Sequence, residues 1–150
     1  MKYIRKTRLF KRILEMCSSI FYYIASVLKA EIRMPVLKVT DLSYLKQVSG
    51  GEHRFMKEMI KIFCEQVPEF ISNLEKHLTE GNYLDLGREA HKAKSSVIIV
   101  GMNELGSKMK ELQLLTEKKE GIEKYPEYVN DFKSQCLAAV DELEAYVQQI

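Results

Sequence analysis

One histidine stands where a side chain could act as a nucleophile. His91 lies in the stretch REAHKAKSSVIIVGMNELG, residues 88–106. Arg88 falls three residues before it and Lys94 three after it, and the small residues Gly87 and Ser95 lie four to either side. A neutral imidazole is a competent nucleophile near pH 7, because the ordinary pKa of histidine is about 6.5. Attack on phosphorus requires a ring nitrogen that can be reached in line, exposed and without bulky neighbours. The product carries a compact negative charge that Lys94 and Arg88 can offset. Glycine in a helix interior costs about 1 kcal/mol relative to alanine, so Gly87 needs a reason, and open space beside the imidazole is one. The same residue types also fit an ordinary solvated histidine, since cations flank many positions on helix surfaces.

The helix that must position this histidine spans residues 83–100. At about 100° per residue, Leu86, Ala90, Ala93, Val97 and Val100 form an inward stripe. Leu84, Gly87, Arg88, His91, Lys94, Ser95 and Ile98 fall on roughly the opposite side. Periodicity therefore predicts an exposed His91, with Gly101 just past the end of its helix. Leu84, Ile98 and Met102 are apolar on the His91 side, where a solvated face would be polar. With Gly87 and Ser95 they make a candidate docking patch for a partner.

The other elements read as helices throughout. Thr40 or Asp41 can cap a short helix through Val48, ended by Ser49-Gly50-Gly51. Residues 52–79 follow, with Phe55, Met59, Ile62, Phe63, Val67, Phe70, Leu74 and Leu78 as the apolar stripe and Pro68 predicting a kink rather than a break. Glu80-Gly81-Asn82 is a turn. A further helix begins near Asn103 with Leu105, Met109 and Leu112 inward, and residues 118–126 form a polar loop. Pro126 suits the first turn of a last helix, which carries Val129, Phe132, Cys136, Val140, Leu143 and Val147 on one face. Four long amphipathic segments with short connections predict an all-α, up-down-up-down four-helix bundle with a short extra N-terminal helix.

Composition agrees: 150 residues suit one domain, 46% are hydrophobic, and glycine and proline are few. Charge is uneven. Residues 1–33 hold eight Lys/Arg against Glu15 and Glu31, whereas the rest holds 15 basic against 19 acidic residues. A mildly acidic body is a poor match for nucleic acid. The head, with its apolar run over residues 13–28, is too short for a membrane span. It reads as a basic anchor at a membrane surface, as a signal peptide, or as an extension upstream of a working domain over residues 34–150. Cys17, Cys64 and Cys136 are odd in number and widely spaced, which points to reduced thiols in a cytoplasmic protein rather than a disulfide framework or zinc site. His53 and His77 have no partner at metal-ligand or triad spacing and read as surface residues. No P-loop or kinase-type glycine motif is present and no carboxylate cluster suits Mg²⁺, so neither a metal nor a cofactor is expected. The chain is not expected to make or hydrolyse its own phosphoryl group.

Residues 90–96, A-H-x-x-K-S-S, with Gly101 ten residues after the histidine, resemble the signature of histidine-containing phosphotransfer (HPt) domains, the carriers of multistep phosphorelays. That signature is usually H-x-L-K-G-S followed by an apolar stretch and the glycine. The likeness extends over residues 40–150 and includes Phe63 to Pro68 as F-x-x-x-x-P, the apolar run to Leu78, and Leu105 and Leu112. Ala93 replaces the usual leucine and Ser95 the usual glycine, both still small. The resemblance implies a monomeric bundle with His91 as phosphoacceptor, Lys94 on the phosphate side and Gly101 as the glycine that lets the helix close against its neighbour. It also implies partners: receiver domains of response regulators or hybrid histidine kinases, which would bring the phosphorylatable aspartate and the Mg²⁺. The other reading is a helical adaptor that docks receivers or other signalling partners without transferring phosphate.

Overall fold

The computed structural model describes residues 37–150, and the expected basic and apolar extension over residues 1–33 lies outside them. The described residues form five α-helices: α1 (Ser43–Val48), α2 (His53–Thr79), α3 (Tyr83–Ile99), α4 (Asn103–Lys118) and α5 (Tyr125–Val147), with a 3₁₀ turn at Ile122–Lys124. Each long helix packs on the next, and α5 closes back onto α2. The result is the four-helix ring with a short leading helix that the apolar periodicity predicts. No helix among the described residues is long and apolar enough to cross a membrane.

α2 is a single 27-residue helix with Pro68 inside it, not two. Its stripe differs from expectation in the N-terminal half. Met56 and Ile60 are core, while Phe55 and Ile62 are each 40% exposed and Met59 is half-buried. The sequence offers two apolar tracks there, one residue or about 100° apart. Only one can face the interior of a four-helix ring, and that is the track continuing into Phe63, Val67, Phe70 and Leu74. In α5 the same drift by one residue brings Ala139 and Tyr146 inside and leaves Val140 and Val147 half-buried.

The turn after α3 is built on Gly101. Its N–H donates to the Ile98 carbonyl and that of Met102 to the Val97 carbonyl, at 2.9 and 3.0 Å, the paired bonds of a left-handed helix terminus. Gly101 has φ +80, and a Cβ there would lie 2.0 Å from the Asp41 carbonyl oxygen. Asp41 N–H in turn donates to the Val100 carbonyl at 3.0 Å. Glycine is thus required both by the backbone angle and by the crossing of the N-terminal segment.

That segment is also tied to α5. The Glu142 carboxylate accepts the N–H groups of Lys38, Val39 and Thr40 and the Thr40 hydroxyl, at 2.6 to 3.3 Å. Thr40 is therefore a buried tether rather than a helix cap. Asp41 serves the start of α1, accepting the Ser43 N–H at 2.9 Å. The expected polar loop over residues 118–126 hides one large core residue. Tyr125 is fully buried against Tyr83, with its hydroxyl 3.0 Å from the carbonyls of Leu115 and Glu120.

Candidate functional site

α3 begins at Asn82, whose side chain accepts the Asp85 N–H and donates to the Asp85 carboxylate. From that start the predicted phase holds. Leu86, Ala90, Ala93, Val97 and Val100 are all fully buried, and His91 is exposed on the far side. His91 lines an open concavity of about 430 Å³ with Leu84, Gly87, Arg88 and Lys92 of α3 and Gln113 and Glu117 of α4. Lys94, Ser95 and Ile98 are not in its walls. They follow His91 along α3, Lys94 half-buried and Ser95 and Ile98 exposed.

The ring is held from the neighbouring helix. His91 Nδ1 lies 3.0 Å from Gln113 Oε1. The same oxygen accepts from Lys110 Nζ at 3.1 Å, and Gln113 Nε2 donates to Glu117 Oε1 at 2.7 Å. Lysine only donates and a carboxylate only accepts, so both neighbours orient the amide the same way. An amide oxygen facing Nδ1 requires the proton on Nδ1. The lone pair is then on Nε2, which has no hydrogen-bond partner among the described residues.

Gln113, Lys110 and Glu117 escaped the sequence reading. Their spacing of three and four puts them on one face of α4, but such a face is usual for a solvated helix. Only the packing of α4 on α3 sets it against His91.

The cations around the ring are partly committed. Arg88 is bound to Asp85 at 2.9 Å and Lys92 to Glu89 at 3.1 Å. The Asn82 side chain, then the Arg88 guanidinium, hold the Asp85 carboxyl below the ordinary carboxylate range. Glu89, buried at 5% exposure, also accepts from Asn73 of α2 at 3.1 Å, and Ser96 donates to Gln66 at 3.1 Å, so the α2 side of α3 is tied by polar contacts. Lys94 has no side-chain partner among the described residues and is the cation left uncommitted beside the histidine.

Two of the expected docking residues are buried rather than exposed. Gly87 is buried, and a Cβ on it would lie 2.1 Å from Thr116 Oγ1 and 3.2 Å from Thr116 Cβ. The missing side chain lets α3 and α4 approach closely, and the bare glycine also forms part of the wall of the His91 concavity. Met102 is 4% exposed. The Gly101 turn reverses the chain, and the residue after such a glycine folds back on the last turn of its own helix. Leu84 at 58% and Ile98 at 37% remain on the surface, Ile98 lying against the bare backbone of Gly106.

The remaining chemistry-bearing residues gather nowhere. His53 is exposed. His77, expected at the surface, is half-buried with an unpartnered Nδ1. Cys64 and Cys136 are free thiols, pushed up by burial to about 11 and about 12, which leaves them poor nucleophiles. Cys17 lies outside the described residues. Among those residues no group of three or more His, Cys, Asp or Glu is arranged to hold a metal ion.

The profile of the Hpt domain family matches residues 58–150, from within α2 to the end of the chain and including His91. The match is narrower than the likeness read from the motif, which begins at Thr40. No curated protein and no solved structure matches the chain. A family profile spanning more than half of the sequence, on a helical bundle of the expected topology, shows that the chain belongs to the Hpt domain family, the phosphotransfer carriers of two-component signalling.

Proposed function

We propose that this protein is a phosphorelay carrier in which His91 Nε2 accepts a phosphoryl group from a receiver-domain aspartate and returns it to another. The observation that supports this best is the pairing of an exposed imidazole with an amide that holds its Nδ1 proton. In the forward step the Nε2 lone pair attacks phosphorus and the P–N bond forms. The P–O bond of the aspartyl phosphate breaks, and the carboxylate leaves with the electron pair. The imidazole acquires positive charge in this step, and Nδ1–H donating to Gln113 Oε1 stabilises it. The reverse step needs only a second carboxylate in line. Lys94, and Arg88 where it releases Asp85, offset the phosphoryl charge. Leu84, Ser95 and Ile98 form the contact rim for the receiver, which supplies Mg²⁺ and the acidic pocket. No kinase or phosphatase site of its own is part of the proposal.

The test is transfer from a phosphorylated receiver. Acid-labile, base-stable label is expected on the wild-type chain and is expected to be absent from His91→Gln at unchanged melting temperature. Full labelling of that variant would move the site elsewhere. Receiver binding without label on the wild-type chain would favour the adaptor reading instead.

A further inference from the structure

We infer that Lys110 and Glu117 are positioning residues for this reaction, together locking the Gln113 amide in the orientation that keeps the His91 proton on Nδ1. The inference rests on the reading of His91 as phosphoacceptor, and it concerns a property of the ring that can be measured without any phosphoryl group.

A glutamine amide has two ends of nearly equal shape and opposite hydrogen-bonding sense. Gln113 alone could meet His91 either way. With its oxygen toward the ring, Nδ1 carries the proton and Nε2 the lone pair. Turned over, the NH₂ group faces Nδ1, the proton moves to Nε2, and the attacking lone pair is lost. An unconstrained histidine side chain in water favours the second tautomer, so the first has to be imposed. Lys110 and Glu117 sit three before and four after Gln113 on one face of α4. Lys110 Nζ lies 3.1 Å from the amide oxygen and Glu117 Oε1 2.7 Å from the amide nitrogen. Turning the amide would set NH₂ against an ammonium and oxygen against a carboxylate, two repulsive contacts in place of two charge-assisted bonds. The oxygen has two lone pairs, so it serves Lys110 and His91 at once.

The test uses the full chain labelled with ¹⁵N-histidine, at pH about 9, where an imidazole is neutral. Long-range ¹H–¹⁵N spectra should show His91 as the Nδ1–H tautomer in the wild type and in Lys110→Arg, which keeps a donor. The exchange Lys110→Glu with Glu117→Lys keeps net charge but inverts both contacts. It should turn the amide over, shift the tautomer ratio toward Nε2–H by about tenfold or more, and slow phosphorylation by phosphoramidate by a similar factor. In that reaction the reagent's P–N bond breaks, ammonia leaves, and a new P–N bond forms on Nε2 while the Nδ1 proton stays in place. If the exchanged protein loses helicity, Glu117→Lys alone, at an exposed position, should shift the ratio in the same direction by a smaller factor. A wild-type ratio in the folded exchange variant, or in Glu117→Lys where only that variant folds, overturns the inference. If the wild-type chain takes no label from phosphoramidate or from receivers, the carrier reading fails, while the tautomer ratio still decides the role of Lys110 and Glu117.

Discussion

At the scale of single residues, the proposed phosphoacceptor site turns on one hydrogen bond that crosses between helices. His91 is on α3 and its acceptor Gln113 on α4, 3.0 Å away. Gln113→Leu keeps a similar shape but leaves Nδ1 without an acceptor as the ring becomes positive. A hydrogen bond to a charged group contributes about 1.5–3 kcal/mol, so phosphoryl acceptance should slow roughly 10- to 100-fold. Gln113 is only half-buried, and the melting temperature should hardly move. Single-turnover transfer and a thermal melt on the same sample check both halves. A large stability loss with normal transfer would mean that Gln113 is a structural residue. Burial raises both Cys64 and Cys136, so alkylating reagents at neutral pH should leave them largely unmodified in the folded chain.

At the scale of elements, the seam between α3 and α4 sets the geometry of the ring. Gly87 abuts Thr116, whose hydroxyl donates to the Gln113 carbonyl at 2.7 Å. Gly87→Ala should gain about 1 kcal/mol of helix propensity but lose more to overpacking, for a net loss of about 1–2 kcal/mol. Thr116→Ala removes the atom at 2.1 Å, so the same glycine substitution should cost less in that background. Urea unfolding of the four proteins in the cycle measures the coupling, and additive losses would mean that the two helices do not meet through this contact. The α3 surface beyond His91 should behave differently. Ile98→Asp is expected to weaken receiver binding by about 1–2 kcal/mol with little change in melting temperature, whereas Ser95→Phe should slow transfer more than binding. Ile98 also rests on Gly106, so unfolding of the Asp variant would assign it to the core instead.

At the scale of the whole molecule, Glu142 joins the first described residues to the last helix. Burial pushes its carboxyl up, but hydrogen bonds from Lys38, Thr40 and Val39 outweigh that effect and hold it below the ordinary value. A carboxylate lowered in the folded state contributes stability that is fully present above the unfolded pKa, about 4.3 for glutamate. That stability is lost as pH falls through the folded value. Wild type should therefore exceed Glu142→Gln by on the order of 1 kcal/mol at pH 7, a modest figure because one side of the group faces solvent. The gap should close as pH is lowered below the ordinary glutamate range. Urea midpoints at the two pH values test this, together with hydrogen exchange at the amides of residues 38–40. A gap that persists at low pH would show that shape rather than charge holds the tether.

The all-helical bundle, the inward stripe of α3, the exposure of His91 and the glycine that ends its helix were legible in the amino-acid order. A 3.6-residue period assigns faces wherever one apolar track stands alone, as it does from Leu86 to Val100. The phase of the N-terminal half of α2 was not legible, because two adjacent tracks compete over Phe55 to Phe63 and only packing in the ring separates them, whereas Val67, Phe70 and Leu74 are core as their spacing predicts. Met102 was misplaced because a left-handed turn reverses the chain and resets the phase that periodicity extrapolates. Gly87 could be marked as unusual, but its cause, Thr116, is 29 residues further on. The partners of the histidine required the tertiary structure altogether. Lys110, Gln113 and Glu117 are an ordinary polar face in sequence and meet His91 only where α4 lies against α3. Sequence carries the local periodicities of each helix, whereas the bond between His91 and Gln113 exists only once two such faces meet in space.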